Sequence, residues 1–348
     1  MSTTVALAAL TCATLVGCDR KPRFVPADAD SIAVRSPDSI AFYVEDAREH
    51  WESADGAAAA TLSARIVLDD LRLHDSQPLP QRSRNFLDSL GFAAEVVGES
   101  AIAAVNFFSR SDPSGGSWPY LYWRDEAGVH LQALEGSGLK LAGLTERRGS
   151  DRVPHAALLF TRGTPRGQQP VVFVWRQPAG IGGWKLIQSL GADSLGGVGT
   201  AEFVAPGANN VVLMARTYRN TPRFEECATC PHIYHVRRFH WTDDGLATFD
   251  EQIEDSPYRS FVQLIQALAV NDRELAATLV TDPSLLEAAI EYGWGESRGM
   301  WRMSPGTDER AQEIVFFRGN QEAYRVQFSR QGSGWGIEGF QPTTRSIE

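Results

Sequence analysis

Two cysteines and two histidines lie close together in the second half of the chain. The segment Cys227-Ala-Thr-Cys230-Pro231-His232, with His235 three residues later, has side chains that can attach haem, exchange disulfides, bind zinc or close a structural disulfide. A c-type haem requires histidine directly after the second cysteine, where proline stands instead. Zinc needs four ligands around one point, and on a strand residues 232 and 235 face opposite sides. We therefore expect no metal site here.

Redox exchange and a structural disulfide remain as alternatives for this cysteine pair. Exchange chemistry requires a helix after the second cysteine, because a helix N-terminus lowers the thiol pKa. The residues that follow, His232 to Trp241, instead alternate between polar and apolar as strand residues do. We expect a disulfide between Cys227 and Cys230 that pins the loop before this strand, with thiol–disulfide exchange as the alternative.

The other two cysteines lie within the first eighteen residues. An apolar run from Val5 to Val16 is shorter than the about 20 residues of a membrane-spanning helix, and it matches the core of a signal peptide. At its end, Leu15-Val16-Gly17-Cys18 resembles the lipobox of bacterial lipoproteins. The resemblance implies a signal peptide at 1–17 and acylation of Cys18. It also implies a lipid-anchored protein of the cell envelope that faces the periplasm or the exterior, where disulfides persist.

Composition limits the partners of such a protein. The hydrophobic fraction of 43% is sufficient for real cores, and the net charge of −10 disfavours a nucleic-acid partner. The lipid bilayer, reached through acylated Cys18, is one expected partner, and an envelope protein or a small-molecule ligand is the other. The sequence contains none of the G-x-S-x-G, H-E-x-x-H, Walker A or EF-hand patterns. We expect no cofactor and assign no catalytic residue.

The part before residue 92 is predicted to be a tether followed by helices. Residues 18–35 contain two prolines and scattered charge, as flexible linkers do. The helical segment, 36–91, begins with Ser36 as N-cap and Pro37 at the first helical position. Its three predicted helices cover 36–51, 57–73 and 82–90, and Gly91 ends the last one.

Residues 92–255 are predicted to form an all-β domain, because short β-like runs alternate with turn residues. Candidate strands cover 93–97, 101–109, 119–123, 129–134, 156–161, 171–175, 184–189, 211–217 and 233–241. A weak repeat places Trp123, Trp175 and Trp241 each at the end of a strand, before a glycine-containing turn and a return strand. An irregular sandwich or meander is the expected fold, with a small propeller-like array as the alternative, since three units are fewer than the usual four blades.

Residues 256–345 are predicted to form a separate α+β domain. A helix begins at Ser256-Pro257, two more are expected at 272–280 and from Asp282 to before Gly293, and strands are expected at 301–303, 314–318, 324–330 and 335–340. In the order and length of these elements the region resembles the NTF2-like α+β cone. Members of that superfamily include enzymes, ligand binders and inert modules, so the resemblance does not supply a function.

Five aromatic residues of this domain form a candidate ligand pocket, with core packing as the alternative. They are Tyr292, Trp294, Trp301, Tyr324 and Trp335. Elsewhere, Asp69-Asp70 and Glu225-Glu226 are adjacent carboxylates. Since neighbours on an element point apart, we expect both pairs to be solvated.

The expected function is therefore a membrane-anchored, non-catalytic binding or assembly module of the envelope. The alternative is an envelope enzyme, either a thiol–disulfide protein that uses Cys227 and Cys230 or a hydrolase whose residues come together only in the fold.

Overall fold

Three helices form the first layer of the computed structural model, which describes residues 37–53, 55–110, 116–178, 182–205 and 211–343. These helices are α1 (Pro37–Glu52), α2 (Gly56–Leu73) and α3 (Leu79–Leu90). The side chain of Asp55 caps α2 by accepting from the Ala58 N–H, and α3 ends at Gly91 with a φ of +73°. All three predicted helices are confirmed. The predicted signal peptide, the predicted tether and Cys18 lie outside the described residues.

Three four-stranded antiparallel sheets follow, and in each one consecutive strands are neighbours. The first sheet contains β1 (Ala94–Glu99), β2 (Ile102–Phe108), β3 (Ser117–Asp125) and β4 (Gly128–Ala133). The second contains β5 (Lys140–Arg148), β6 (Pro154–Thr164), β7 (Gly167–Arg176) and β8 (Lys185–Leu190). After the short helix α4 (Ala192–Leu195), the third contains β9 (Val198–Phe203), β10 (Val211–Tyr218), β11 (His235–Thr242) and β12 (Gly245–Ile253).

The tryptophan repeat marks the same position in each of these sheets. Trp123, Trp175 and Trp241 lie on β3, β7 and β11, the third strands, and each strand pairs with the fourth strand of its sheet in a hairpin. The predicted hairpins are thus confirmed. Two strands were not predicted, β5 and β9, and each is the first strand of its sheet. The strand β12 was expected only as the return strand of the third repeat.

The helices and the three sheets are stacked in chain order. One hydrophobic cluster joins α1, α2 and α3 to one face of the first sheet, through residues such as Leu71, Phe107 and Tyr122. A second cluster joins the first and second sheets, and a third joins the second and third sheets. Each of these clusters therefore connects neighbouring layers.

Two glutamine side chains strengthen the contacts between neighbouring sheets in the same way. Gln132 on β4 donates to the Trp184 carbonyl and accepts from the Trp184 N–H, both at 2.7 Å. Gln188 on β8 makes the same double hydrogen bond to the backbone of Leu246, both at 2.8 Å. Each amide thus ties the fourth strand of one sheet to the next sheet, at the start of its fourth strand.

The remaining residues form helices and a fourth antiparallel sheet, as predicted. The helices are α5 (Pro257–Ala269), α6 (Arg273–Ala277) and α7 (Pro283–Glu291), and the strands are β13 (Trp301–Arg302), β14 (Glu313–Arg318), β15 (Glu322–Gln331) and β16 (Gly334–Pro342). Ser256 caps α5 by accepting from the Arg259 N–H. The helix α6 ends before the predicted residue 280, because Val280 pairs with Ile337 of β16 instead.

Among the described residues, none of the helices combines the length and apolar character needed to cross a membrane.

Candidate functional site

The cysteine pair forms the predicted disulfide. Cys227 and Cys230 are bonded, and Cys230 is buried. The next regular element is the strand β11, which begins at His235, and not a helix. The structural feature that lowers the pKa of an exchange-active thiol is therefore missing after Cys230. The bonded turn instead contacts the C-terminal region, where the Thr229 carbonyl accepts from the Gly306 N–H at 3.0 Å.

The histidines near this pair do not assemble a metal site in the part of the chain that the structure describes, where no three His, Cys, Asp or Glu side chains converge. His232 is buried against Tyr218, with the two rings stacked at 3.4 Å between centroids. His235 lies instead on the third sheet, 3.0 Å from the Glu251 carboxylate.

The five aromatics of the candidate ligand pocket have different surroundings. Trp294, Trp301 and Tyr324 are buried in one cluster, with ring centroids 5.2 to 5.9 Å apart. Tyr292 is 41% exposed and lies at the edge of this cluster, 5.7 Å from the Tyr324 ring. Trp335 is half-buried and its ring lies under the Arg330 guanidinium. Four of the five residues thus form one chain of ring contacts, three of them contribute to the core, and Trp335 packs against the same core.

A buried arginine completes this aromatic cluster. The Arg318 side chain donates to the carbonyls of Tyr292 and Gly293, at 2.9 and 2.6 Å, and forms a salt bridge with Glu322. Its guanidinium also lies 5.1 Å from the Trp301 ring centroid. Because carbonyls, carboxylate and ring all face this cation, its charge is satisfied within the protein.

A different cavity opens between the first and second sheets, at one end of their strands. This strand-end groove has a volume of about 760 Å³, within the usual range for ligand sites. Its walls come from the start of β2, the β3–β4 turn, the end of β5, the start of β6 and the two ends of the β7–β8 connection. Backbone hydrogen bonds hold the walls, since Arg124 N–H donates to Ala101 and Gln177 N–H donates to Pro154.

Three arginines line the strand-end groove. Arg147 and Arg148 are the last residues of β5, and within the described residues neither side chain forms a hydrogen bond or a salt bridge. Arg124 donates to the Gln77 carbonyl at 3.0 Å, while its buried Nε has no hydrogen-bond partner in the described part of the chain. The groove thus presents cationic donors that the described protein leaves largely unused.

Two tryptophans form the inner wall of the groove. Trp123 and Trp184 are 4% and 6% exposed and meet edge to face, with 6.4 Å between ring centroids. His130 stacks on Trp123, and Gln132 fixes the backbone of Trp184. The Trp184 indole N–H has no acceptor among the described residues, whereas the Trp123 indole faces the Asp125 carboxylate and helps to lower its pKa. Unpaired buried donors are uncommon in folded proteins and require an explanation.

Carboxylates balance the charge of the groove. Asp125 is engaged, since its Oδ1 lies 2.8 Å from His130 Nε2 and accepts from the Ala127 N–H; these donors outweigh partial burial and lower its pKa. The side chain of Glu146 keeps access to water, yet partial desolvation and the nearby Glu99 carboxylate raise its pKa. Glu126 completes the set. Because three acidic side chains lie beside three arginines, the groove is close to neutral on an acidic protein.

A second polar region lies where the third sheet meets the C-terminal helices, and it is closed. Glu226 accepts from the Tyr258 hydroxyl at 2.8 Å and from the Thr221 N–H at 3.2 Å. His232 Nδ1 lies 3.7 Å from the same carboxylate, and both side chains are at most 3% exposed. Burial alone raises the pKa of a carboxyl group, but the facing donors lower that of Glu226. Glu225 is exposed, so the expectation of two solvated carboxylates is wrong for Glu226.

Nearby, Arg216 on β10 is fully engaged. It donates to both oxygens of Glu254, at 2.9 and 2.7 Å, and to Glu309 at 2.6 Å. Its guanidinium also lies 3.3 Å from the Tyr234 ring centroid. Since Glu254 follows the third sheet and Glu309 precedes β14, this arginine connects the stack to the C-terminal sheet.

The groove residues were not identified from the sequence. They are spread from residue 101 to residue 184 and meet only because two sheets stack. The sequence nevertheless contains a signal that could have pointed to the groove. Tryptophan followed by arginine stands near the end of the third strand in the first two repeats, at Trp123-Arg124 and Trp175-Arg176. In the third repeat, Trp241 is followed by Thr242.

Comparison with models of known protein families gives no match, and comparison of the sequence with curated proteins gives none either. The geometry of the strand-end groove is therefore the principal guide to function.

Proposed function

We propose that this chain is a membrane-anchored lipoprotein of the cell envelope and that it serves as a non-catalytic binding or assembly module. The observation that carries the binding role is the strand-end groove, where the side chains of Arg147 and Arg148 form no hydrogen bond or salt bridge within the described residues. The anchor rests on the lipobox resemblance at Leu15-Val16-Gly17-Cys18. Each acyl-chain methylene buried in the bilayer would contribute about 0.8 kcal/mol, which is enough for stable attachment when several chains are present.

The position of the groove supports this proposal. Its walls belong to two sheets whose contact is fixed by a hydrophobic cluster and by Gln132, so the groove needs little ordering before it binds. Preformed sites lose less conformational freedom on binding and gain affinity for that reason.

We also propose an architecture for the three stacked sheets and for the C-terminal region. The three successive meanders, each packed on the next, favour the propeller-like array over an irregular sandwich. Helices before a four-stranded antiparallel sheet support an NTF2-like relationship for the C-terminal region, through element order alone.

The enzyme alternative has less support. Thiol–disulfide exchange needs an accessible, activated cysteine, whereas Cys230 is buried and no helix follows it. No observation favours a hydrolase over the binding module.

The anchor is tested by fractionation and intact mass of the full chain isolated from cells. We expect a membrane-bound chain that starts at Cys18 and carries acyl mass. Cys18→Ser should release the protein from the membrane fraction. Cys12→Ser is the matched control, because Cys12 is removed with the signal peptide, and it should change nothing. Membrane retention of the Cys18→Ser protein contradicts the proposed anchor.

The binding role is tested by photo-crosslinking in cells. A photo-crosslinking amino acid in place of Arg148 should give an adduct that is lost when Arg124 and Arg147 are changed to glutamine. The same amino acid in place of Arg162, an exposed residue at the other end of the second sheet, should give none. If position 148 gives no adduct, or the same adduct as position 162, the groove is not the binding surface.

A further inference from the structure

We infer that the strand-end groove selects a ligand through a carboxylate group. This inference rests on the proposed binding function and deepens it, because it names the chemistry that the groove recognises. The carboxylate can come from the end or a side chain of a peptide, or from a sugar acid.

The buried polar atoms of the inner wall donate hydrogen bonds. The Arg124 Nε and the Trp184 indole N–H are buried without a hydrogen-bond partner in the described part of the chain, and the two arginines at the end of β5 form no hydrogen bond or salt bridge there. The Glu126 and Glu146 carboxylates, which could accept, are exposed. A ligand that reaches the inner wall must therefore bring acceptors, and planar, charge-assisted pairing with arginine is the strongest form such recognition takes.

The net formal charge of the groove is close to zero, because Asp125, Glu126 and Glu146 also line it. Attraction to the arginines and repulsion by the carboxylates both scale with the charge of a ligand. A doubly charged anion such as phosphate therefore gains no net electrostatic advantage over a singly charged carboxylate, whose planar shape matches the arginine fork.

The hydrogen-bond donors of the inner wall are held firmly by their neighbours. Trp123 lies between His130, at 5.1 Å, and Trp184, at 6.4 Å between ring centroids, and Gln132 fixes the backbone of Trp184. Arg124 is held by the Gln77 carbonyl. The inner wall is therefore rigid, whereas Arg147 and Arg148 at the rim can adjust to the ligand.

The inference is tested by titration of the full chain, as isolated from cells and labelled with [15N]tryptophan. Five probes are compared, namely acetyl-trialanine with a free carboxylate, its C-terminal amide, glucuronate, glucose and inorganic phosphate. The indole signals of Trp123 and Trp184 are followed up to about 10 mM probe, a range that detects weak sites. We expect the free-acid peptide or glucuronate to shift these signals, and its neutral analogue to bind at least about tenfold more weakly.

Variants connect the shifts to the groove. Arg147→Gln combined with Arg148→Gln should weaken carboxylate binding by about tenfold or more. Arg162→Gln, which removes an arginine from the other end of the same sheet, should leave the affinity unchanged. Equal weakening by both changes would show a nonspecific charge effect and would overturn the inference.

The remaining outcomes separate the sources of the carboxylate and the two proposals. Binding of only the peptide acid identifies a peptide, and binding of only glucuronate identifies a sugar acid; either supports the inference. Phosphate binding tighter than both overturns it, and so does the absence of any carboxylate-induced shift. If the acid and the amide shift the indole signals equally, the carboxylate inference fails while the groove remains a binding site, and crosslinking at position 148 decides the proposed function independently.

Discussion

Arginine has opposite surroundings at two junctions of this molecule. Between the third sheet and the C-terminal region, Arg216 is enclosed by Glu254, Glu309 and the Tyr234 ring. Between the first and second sheets, Arg147 and Arg148 line the strand-end groove without a hydrogen bond or salt bridge in the described part of the chain. The comparison shows that arginine at a junction is not by itself a sign of function. Whether the protein has already supplied the partner decides between a structural and a binding role.

Removing the most buried carboxylate of the closed junction, Glu226, should destabilise the protein more than any other change at either junction. Glu226→Ala removes the acceptor of the Tyr258 hydroxyl and the Thr221 N–H. We expect a loss of about 3–4 kcal/mol in the free energy of unfolding, measured by urea denaturation. The neighbouring Glu225→Ala is the control, because that side chain is exposed, and it should change stability by less than about 0.5 kcal/mol. Equal effects of the two changes would mean that the Glu226 contacts contribute nothing.

The two kinds of arginine can be compared directly. Arg216→Ala leaves two partly buried carboxylates without their cation and should cost about 2–3 kcal/mol, below the range for fully buried pairs because a third of the side chain reaches water. Arg147→Ala should change stability by less than about 0.5 kcal/mol. Thermal unfolding of both variants tests the contrast. A strongly destabilised Arg147 variant would show that the groove arginine has a structural role.

Reduction of the disulfide should have a smaller effect. Opening the Cys227–Cys230 bond frees a loop of only four residues, for which chain entropy predicts about 2 kcal/mol. Urea denaturation with and without a reductant measures this difference. The Cys227→Ser, Cys230→Ser double variant should match the reduced protein and should not respond to the reductant. A larger loss of stability would indicate that the bonded turn also stabilises the C-terminal region through its contacts, in addition to the entropy of closing its own loop.

The free energy of unfolding should also depend on pH through Glu226, and we expect this effect to be weaker than those of the substitutions. The pKa of Glu226 is lower in the folded chain than its ordinary value of 4.5, so the ionised carboxylate stabilises the fold. That contribution is fully present above pH 4.5 and is lost as the pH falls toward the folded pKa. Glu226→Gln keeps an acceptor but does not titrate, so stability should fall less steeply between about pH 5 and 3 than in the unchanged protein. Identical slopes would contradict this role.

Local signals accounted for what could be predicted from the sequence. Only a few residues specify each of these features: the cap at Ser256, the left-handed Gly91, and the hairpins whose first strand ends near a tryptophan. The disulfide was predictable for the same reason, since its cysteines lie three residues apart. The Asp70 carboxylate was less predictable: it is buried and paired with Arg82 of α3, although its sequence context suggested a solvated pair.

The strands β5 and β9 show why other features escaped prediction. In β5, Leu141 is the one buried residue, and in β9 every residue is at least partly exposed. The sequence of β5 therefore has no sustained alternating pattern, and in β9 the alternation covers only the four residues from Thr200 to Phe203. Both are first strands at a sheet edge, where they pack against the neighbouring sheet: the Phe203 ring of β9 lies 3.1 Å from the place where Gly143 of β5 would carry a Cβ. Stacking, which also creates the groove, is a long-range property.

The stack of layers also determines which parts of the protein a bound ligand would stabilise. Because each hydrophobic cluster joins adjacent layers, the helices and the three sheets behave as a short one-dimensional array with one coupling free energy per boundary. The groove lies at the boundary between the first and second sheets, beside the Gln132 clamp. A ligand there contacts both sheets and adds to that single coupling free energy, so it should slow amide exchange in β1 to β8 as a unit and leave local fraying elsewhere unchanged.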